Sequence, residues 1–294
     1  MPAAKNSAAK KSNTKKAPAK AAEPELNTKA QIAKWLRDRR VTEVECMVPD
    51  MSGIARGKIL PTEKFLTAVD SDSLRIPESV FGQTVTGDYI DESDYIQWTE
   101  PDCILTPDGS TLRMVPWYEE PTAQVICDAE TREGKPVPIS PRAVLKNVLA
   151  LYEAKGWKPI VAPELEFYLA AKNIDPDNPL EPPIGASGRQ ETGRQSYGID
   201  AVNEFDPIFE DMYDYCEAQE LDVDTLIHEA GPAQVEINFN HGDPLALADR
   251  RSYLSAPCAR QPSAMASMPP SWQSPMVVSP VPPDRKSTRL NSSH

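Results

Sequence analysis

Apolar and polar residues alternate with a period of two in "VAPELEFYL" (161–169) and again in "PAQVEINFN" (232–240), so each run predicts a β-strand with one dry face. In the first, Val161, Pro163, Leu165, Phe167 and Leu169 make the apolar face, while Ile160, Ala162, Glu164, Glu166 and Tyr168 make the other. In the second, Ala233, Val235, Ile237 and Phe239 are apolar, opposed by Gln234, Glu236, Asn238 and Asn240. Other stretches carry the helical period. "KAQIAKWLRDRR" reads as a short amphipathic helix capped by Asn27 or Thr28. Ser140 followed by Pro141 marks the start of a helix that Gly156 closes, and residues 203–220 form another helical run.

Upstream, "VTEVECMVPD" alternates like a strand, and "MSGIARGKILP" turns at Gly53 into a second one. Short strands around turn signals follow, in "TPDGSTLRMVPW" and "TAQVICDAE". These predict a small sheet-rich N-terminal domain over 29–135 and a helix–strand–helix–strand unit over 136–250, an α+β architecture. Residues 1–28, rich in Lys and Ala with little to bury, read as a disordered tail.

Charge narrows the function. The chain's formal charge of −13 is uneven: residues 23–250 hold 20 basic against 43 acidic side chains. That excess argues against nucleic acid as partner of the folded part and suits divalent cations or a cationic substrate. No apolar run is long enough to span a membrane, no secretory signal core opens the chain, and a cytoplasmic site is expected. The five Cys, at 46, 103, 127, 216 and 258, lack paired spacing and read as reduced structural thiols.

The acidic strands carry the candidate chemistry. Glu164 and Glu166 share a strand face about 7 Å apart, where like charges raise each other's pKa unless a cation intervenes. Glu236 sits on the polar face of the second strand, and Glu229 lies seven residues earlier across a Gly-Pro turn. Four carboxylates with no Lys or Arg alternating among them match a hard-cation site for Mg2+ or Mn2+. The bland alternative is acidic residues on the wet face of a half-buried strand. His228 and His241 read as surface or supporting groups, since "HEAGP" lacks the second His of a zinc-protease helix.

"VAPELEFYL", "EAGPAQVEINF", the "SPRAVL" helix start and "VPDMSGIARGK" together resemble the glutamine synthetase superfamily, more closely its glutamate–polyamine ligase branch, the γ-glutamylputrescine synthetases. The resemblance covers residues 29 to about 249. It implies a β-grasp N-terminal domain before a catalytic domain, and a ring-shaped homo-oligomer with active sites between neighbouring subunits. It implies that Glu166, Glu229 and Glu236 hold one metal ion, that Glu164 contributes to a second, and that Asp224 contacts ATP. Asp50 matches a loop acid that helps bind and deprotonate the amine; a plain turn residue before Gly53 is the alternative. The implied reaction uses ATP to activate the γ-carboxylate of glutamate as an acyl phosphate, which putrescine or another polyamine attacks. Ammonia as the amine, or a synthetase-like fold without catalysis, are the alternatives.

Past "DPLALAD" the resemblance stops, and residues 251–283 hold eight Pro and no acid. Back-translated with suitable codons and read one nucleotide earlier, residues 255–276 yield KRTVREAAIRHGVYATFMAKPN, which resembles the family's next segment. A frameshift near residue 250 is expected, with 251–294 a non-native tail. The closing "DRKSTRLNSSH" can be encoded by a ligation adapter of short-read sequencing. On this reading the chain lacks the family's later His, Glu and Arg groups and is expected to be inactive alone.

Overall fold

A computed structural model describes residues 26, 28–84, 86–89, 101–171, 175, 177–259 and 277–280. Most of the expected tail over 1–28 and most of the expected non-native segment over 251–294 lie outside the described residues. Leu26, however, is buried in the first core and Thr28 caps the helix that begins at Lys29, so the last residues of that tail belong to the fold.

The first sheet is built from β1 (Glu43–Pro49), β2 (Ala55–Pro61), β3 (Arg75–Pro77), β4 (Asp102–Pro107), β5 (Arg113–Met114) and β6 (Thr122–Glu130), ordered β2-β1-β6-β4-β3 with β5 also on β6. β1 and β6 are parallel, and the remaining pairs are antiparallel. Two helices, α1 (Lys29–Asp38) and α2 (Thr62–Asp70), cover one face. Trp35 and Leu36 of α1 and Phe65 and Val69 of α2 bury against Val44, Cys46, Val48, Val125 and Cys127. Thr28 is the cap of α1, its hydroxyl accepting from the Gln31 amide. α2 escaped the sequence reading, although Phe65 and Val69 have the four-residue spacing of a buried helical stripe. Gly53, at φ +76°, makes the expected turn between β1 and β2 in a backbone region that side chains disfavour.

The second unit contains α3 (Pro141–Glu153), β7 (Glu164–Ala170), α4 (Ile199–Asn203), α5 (Asp206–Ala218), β8 (Val223–His228), β9 (Gln234–Phe239), α6 (Pro244–Ala259) and β10 (Val277–Pro280). Its sheet runs β10-β7-β9-β8. β7 starts at Glu164, later than its pattern predicts, with only an isolated bridge from Val161 to Gly242 before it. Pro159 and Pro163 each lack the amide a sheet ladder needs. The single strand expected within 222–240 is two, β8 and β9, folded as a hairpin.

Phe167, Leu169, Val235, Ile237 and Phe239 pack the dry face of this sheet against Ile208, Phe209, Met212 and Cys216 of α5 and Leu247 of α6. Met47 and Ile126, on the far face of the first sheet, belong to this same second core. α3 differs from its amphipathic pattern. Val144, Val148 and Leu151 are exposed, and only Arg142 and Ala143 of the helix are buried. The helix is held by its charged residues rather than by its apolar stripe. No helix among the described residues is long and apolar enough to cross a membrane. Cys46, Cys103, Cys127 and Cys216 are buried free thiols.

Candidate metal centre

Three antiparallel strands bring the acidic residues onto one sheet face. Across β7 and β9, Glu166 stands opposite Glu236 and Glu164 opposite Asn238. Across β9 and β8, Ile227 stands opposite Glu236 and Thr225 opposite Asn238. Beyond β8 the chain reverses, and the Glu229 amide donates to the Gln234 carbonyl at 2.8 Å. Glu229 is therefore level with Gln234 and diagonal to Glu236. Directly opposite residues on such a face have Cβ atoms about 5 Å apart, and diagonal ones stay within reach of a Glu side chain.

Electrostatics single out Glu236. It is 8 % exposed, and its pKa is raised to about 7. Burial is the main cause, and the charges of Glu164 and Glu229 and a hydrogen bond shared with Glu229 add to it, against a lowering hydrogen bond with Asn238. Glu166 faces Gln234, whose side-chain amide donates to its Oε2 at 2.8 Å. His228 lies on the opposite, apolar side, 1 % exposed, with Nδ1 at 2.6 Å from the Glu229 carbonyl and Nε2 at 3.4 Å from Glu191 Oε1. It faces away from the four carboxylates, as alternation along β8 requires.

The other two expected residues lie elsewhere. Asp224 is exposed at the register irregularity of β8, five residues from Glu229, or roughly 16 Å along a strand. Asp50 is 2 % exposed in the β1–β2 turn. Its Oδ1 accepts from the Ser52 and Ile54 amides, each at 2.9 Å, and its Oδ2 from Arg56 Nε at 2.8 Å. Among the described residues, the side-chain partners of Asp50 lie in its own turn and at the start of β2.

Among the described residues, no three His, Cys, Asp or Glu side chains close into a ready ligand set. Glu166 is drawn to Gln234 and Glu229 to Glu236, while Glu164 acts on Glu236 as a charge without a bond. The donor chemistry still fits a hard cation. All four are carboxylates, none forms an ion pair with Lys or Arg among the described residues, and the buried Oδ1 of Asn238, opposite Glu164, has no hydrogen-bond donor.

The sequence reading missed the buried charge cluster that ties α3 and α6 to the first sheet. Arg142 of α3 donates from Nε and Nη2 to Asp249 of α6 at 3.0 and 2.9 Å, from Nη1 to Asp128 of β6 at 2.6 Å, and from Nη2 to Asp108 at 2.6 Å. Lys146, one helical turn on, reaches Asp128 at 2.5 Å. Burial pushes the Asp108 carboxyl up, but hydrogen bonds from Ser110 and Arg142 outweigh it and leave it below the usual range. Asp249 is left above its ordinary value because burial there exceeds what Arg142 returns. The hydroxyl of Tyr253 in α6 donates to the Thr111 carbonyl beside this cluster. The only sequence signal was the pairing of Arg142 and Lys146 at helical spacing, and their partners lie in three distant segments.

Comparison with known proteins bears on the family and the fold. Residues 138–258 match the family described as glutamine synthetase, catalytic domain, beyond the expected end of the resemblance at about 249. A glutamate–isopropylamine ligase of Pseudomonas sp is 30 % identical over 231 residues, covering 75 % of this chain and 49 % of that protein. A γ-glutamylputrescine synthetase of Escherichia coli K12 is 30 % identical over 203 residues, covering 68 % and 42 % respectively. A glutamine synthetase of Thermus thermophilus is 28 % identical, covering 76 % and 47 %. The fold is shared with a glutamine synthase homologue, at TM-score 0.58 and 18 % identity over 74 % of this chain and 49 % of that one. GmaS in complex with ADP superposes at TM-score 0.55 and 20 % identity, covering 84 % and 50 %. The chain spans about half the length of the curated relatives it matches. On the catalytic-domain match and the 30 % identical ligases, this chain is a partial member of the glutamine synthetase superfamily.

Proposed function

We propose that the whole protein is an ATP-dependent ligase that joins the γ-carboxylate of glutamate to an amine, and that the β7-β9-β8 face carries its divalent metal centre. The observation that carries this reading is Glu236: buried, opposite Glu166, bonded to Glu229, and raised to a pKa of about 7. A cation relieves that arrangement. Glu166, Glu229 and Glu236 would hold one Mg2+ or Mn2+, Glu164 would contribute to a second, and Asp224, on the exposed edge strand, would contact the nucleotide. The metal would supply neutralisation of the negative charge that develops on the phosphoryl oxygens.

In the reaction a γ-carboxylate oxygen attacks the γ-phosphorus of ATP and ADP leaves. The amine nitrogen then attacks the acyl carbon, phosphate departs, and a base takes the ammonium proton. We assign that proton to Asp50, acting on a neighbouring subunit in a ring-shaped homo-oligomer whose N-terminal sheet is of β-grasp type. Relatives named for isopropylamine and putrescine support an alkylamine, and a polyamine suits the acidic body of the chain. Ammonia is the second reading, supported by the relative named a glutamine synthetase.

Phosphate release by the full-length product, supplied with glutamate, ATP, Mg2+ and either putrescine or ammonium, separates the two substrates. No release with either amine would end the ligase assignment. The 294-residue chain tests the metal half alone. Loading must displace the Glu236 proton, so Mn2+ affinity is expected to level off above pH 7 and to fall up to about tenfold per pH unit below it. Titrations at several pH values check this, and a flat profile between pH 5 and 7 would contradict it.

Asp50→Asn separates the two roles of that residue. The amide oxygen still accepts from Ser52 and Ile54, so the loss of the Arg56 partner is expected to lower stability by about 1 kcal/mol. In the full-length protein kcat is expected to fall at least about 100-fold if Asp50 accepts the proton. Unchanged kcat with only the stability loss would make it a turn residue.

A further inference from the structure

The Gln234 side chain belongs to none of the roles above, yet on the acidic face its carbonyl accepts two hydrogen bonds and its amide donates one to Glu166. It is 9 % exposed. Its Oε1 accepts from the Gly231 amide at 2.8 Å and from the Tyr168 hydroxyl at 3.1 Å. Two donors on one oxygen settle which end of the amide is which, so the NH2 end must face Glu166 Oε2, at 2.8 Å. Close packing reinforces the orientation. A Cβ on Gly231 would stand 2.6 Å from Gln234 Oε1 and 2.7 Å from the Tyr168 hydroxyl, so glycine is what lets the turn approach. The arrangement is a relay: backbone amide and phenol fix the carbonyl, and the amide fixes one carboxylate oxygen.

We propose that Gln234 is a positioning residue for the metal centre, holding Glu166 Oε2 so that Oε1 alone is offered to the cation. Resting on the metal reading above, this inference names the group that sets its coordination. Glu166 stands opposite Glu236 across β7 and β9, so a cation held by both would sit between the two strands. A Glu free to rotate would chelate with both oxygens or swing to solvent. The Gln234 bond disfavours both, since it tethers the carboxylate and engages one lone pair of Oε2, and Tyr168 and Gly231 keep Gln234 itself from turning.

The test is Mn2+ binding to the 294-residue chain, followed by titration and by the electron paramagnetic resonance line shape of the bound ion. Gln234→Met keeps the length and removes both hydrogen-bonding ends. It is expected to weaken Mn2+ binding about 10-fold or more and to change the line shape. Tyr168→Phe removes one of the two donors to Gln234, and is expected to weaken binding about two- to five-fold, because the Gly231 amide remains. It also serves if Gln234→Met does not fold. A merely structural role would lower thermal stability and leave the affinity and line shape of the folded protein unaltered, and that result overturns the inference. If the unmodified chain binds no Mn2+, the metal reading fails instead, an outcome seen before either variant is made.

Discussion

Replacing Glu236 by Gln is expected to move stability and metal binding in opposite directions. The side chain keeps its shape and loses its charge. In the ion-free protein the raised pKa means that the ionised form is disfavoured by folding. Below the ordinary carboxylate range both folded and unfolded chains carry the proton, and the residue is neutral toward stability. Between that range and about pH 7 the unfolded chain has lost the proton and the folded one retains it, so stability falls as pH rises. Above pH 7 the whole penalty is present. Glu236→Gln removes it, and denaturant unfolding at pH 8 is expected to show a gain on the order of 2 kcal/mol. The same change deletes the central ligand, and Mn2+ affinity is expected to fall at least about 100-fold. A variant less stable than its parent at pH 8 would mean that burial and the neighbouring Glu164 and Glu229 do not penalise the charged form there. A variant of unchanged affinity would place the ion elsewhere.

Arg142→Ala is expected to destabilise the chain by about 3–5 kcal/mol, because Asp249, Asp128 and Asp108 would lose their shared cation at a buried site. The guanidinium is nearly buried and has its three carboxylates in three different segments. Its fork supplies four separate hydrogen bonds, so Arg142→Lys is expected to restore less than half of the loss. Urea unfolding of the three proteins checks this. A loss under about 1 kcal/mol would mean that α3 is held by something other than its charges, against the exposure of Val144, Val148 and Leu151. Consequences reach the metal face too. α6 contributes Leu247 to the core behind β7 and β9, and Arg142, with the Tyr253–Thr111 hydrogen bond, fastens α6 to the first sheet. Loss of that fastening is therefore expected to weaken Mn2+ binding modestly as well.

How much of this was legible in the sequence depends on the range of each interaction. Alternation along a strand is a one-residue rule, so the polar face bearing Glu164, Glu166 and Glu236 followed from spacing alone. Helix starts at Thr28 and Pro141 are equally local. α2 was overlooked because its stripe is only two residues long, and β8 because a hairpin needs a partner before it becomes visible. Proline chemistry could have shortened β7, since each imide removes a ladder donor.

By itself the chain determined its two kinds of period, its acidic body, and which side of each strand would be polar. Those are properties of neighbours in sequence, enforced by backbone geometry. Only the tertiary structure decided that Glu166 stands opposite Glu236 rather than one rung away, that Gln234 is clasped between Tyr168 and Gly231, and that Arg142 finds carboxylates in three other segments. Register and buried ion pairing depend on which strands and helices meet, and that is settled by the packing of whole apolar faces rather than by any residue's immediate neighbours.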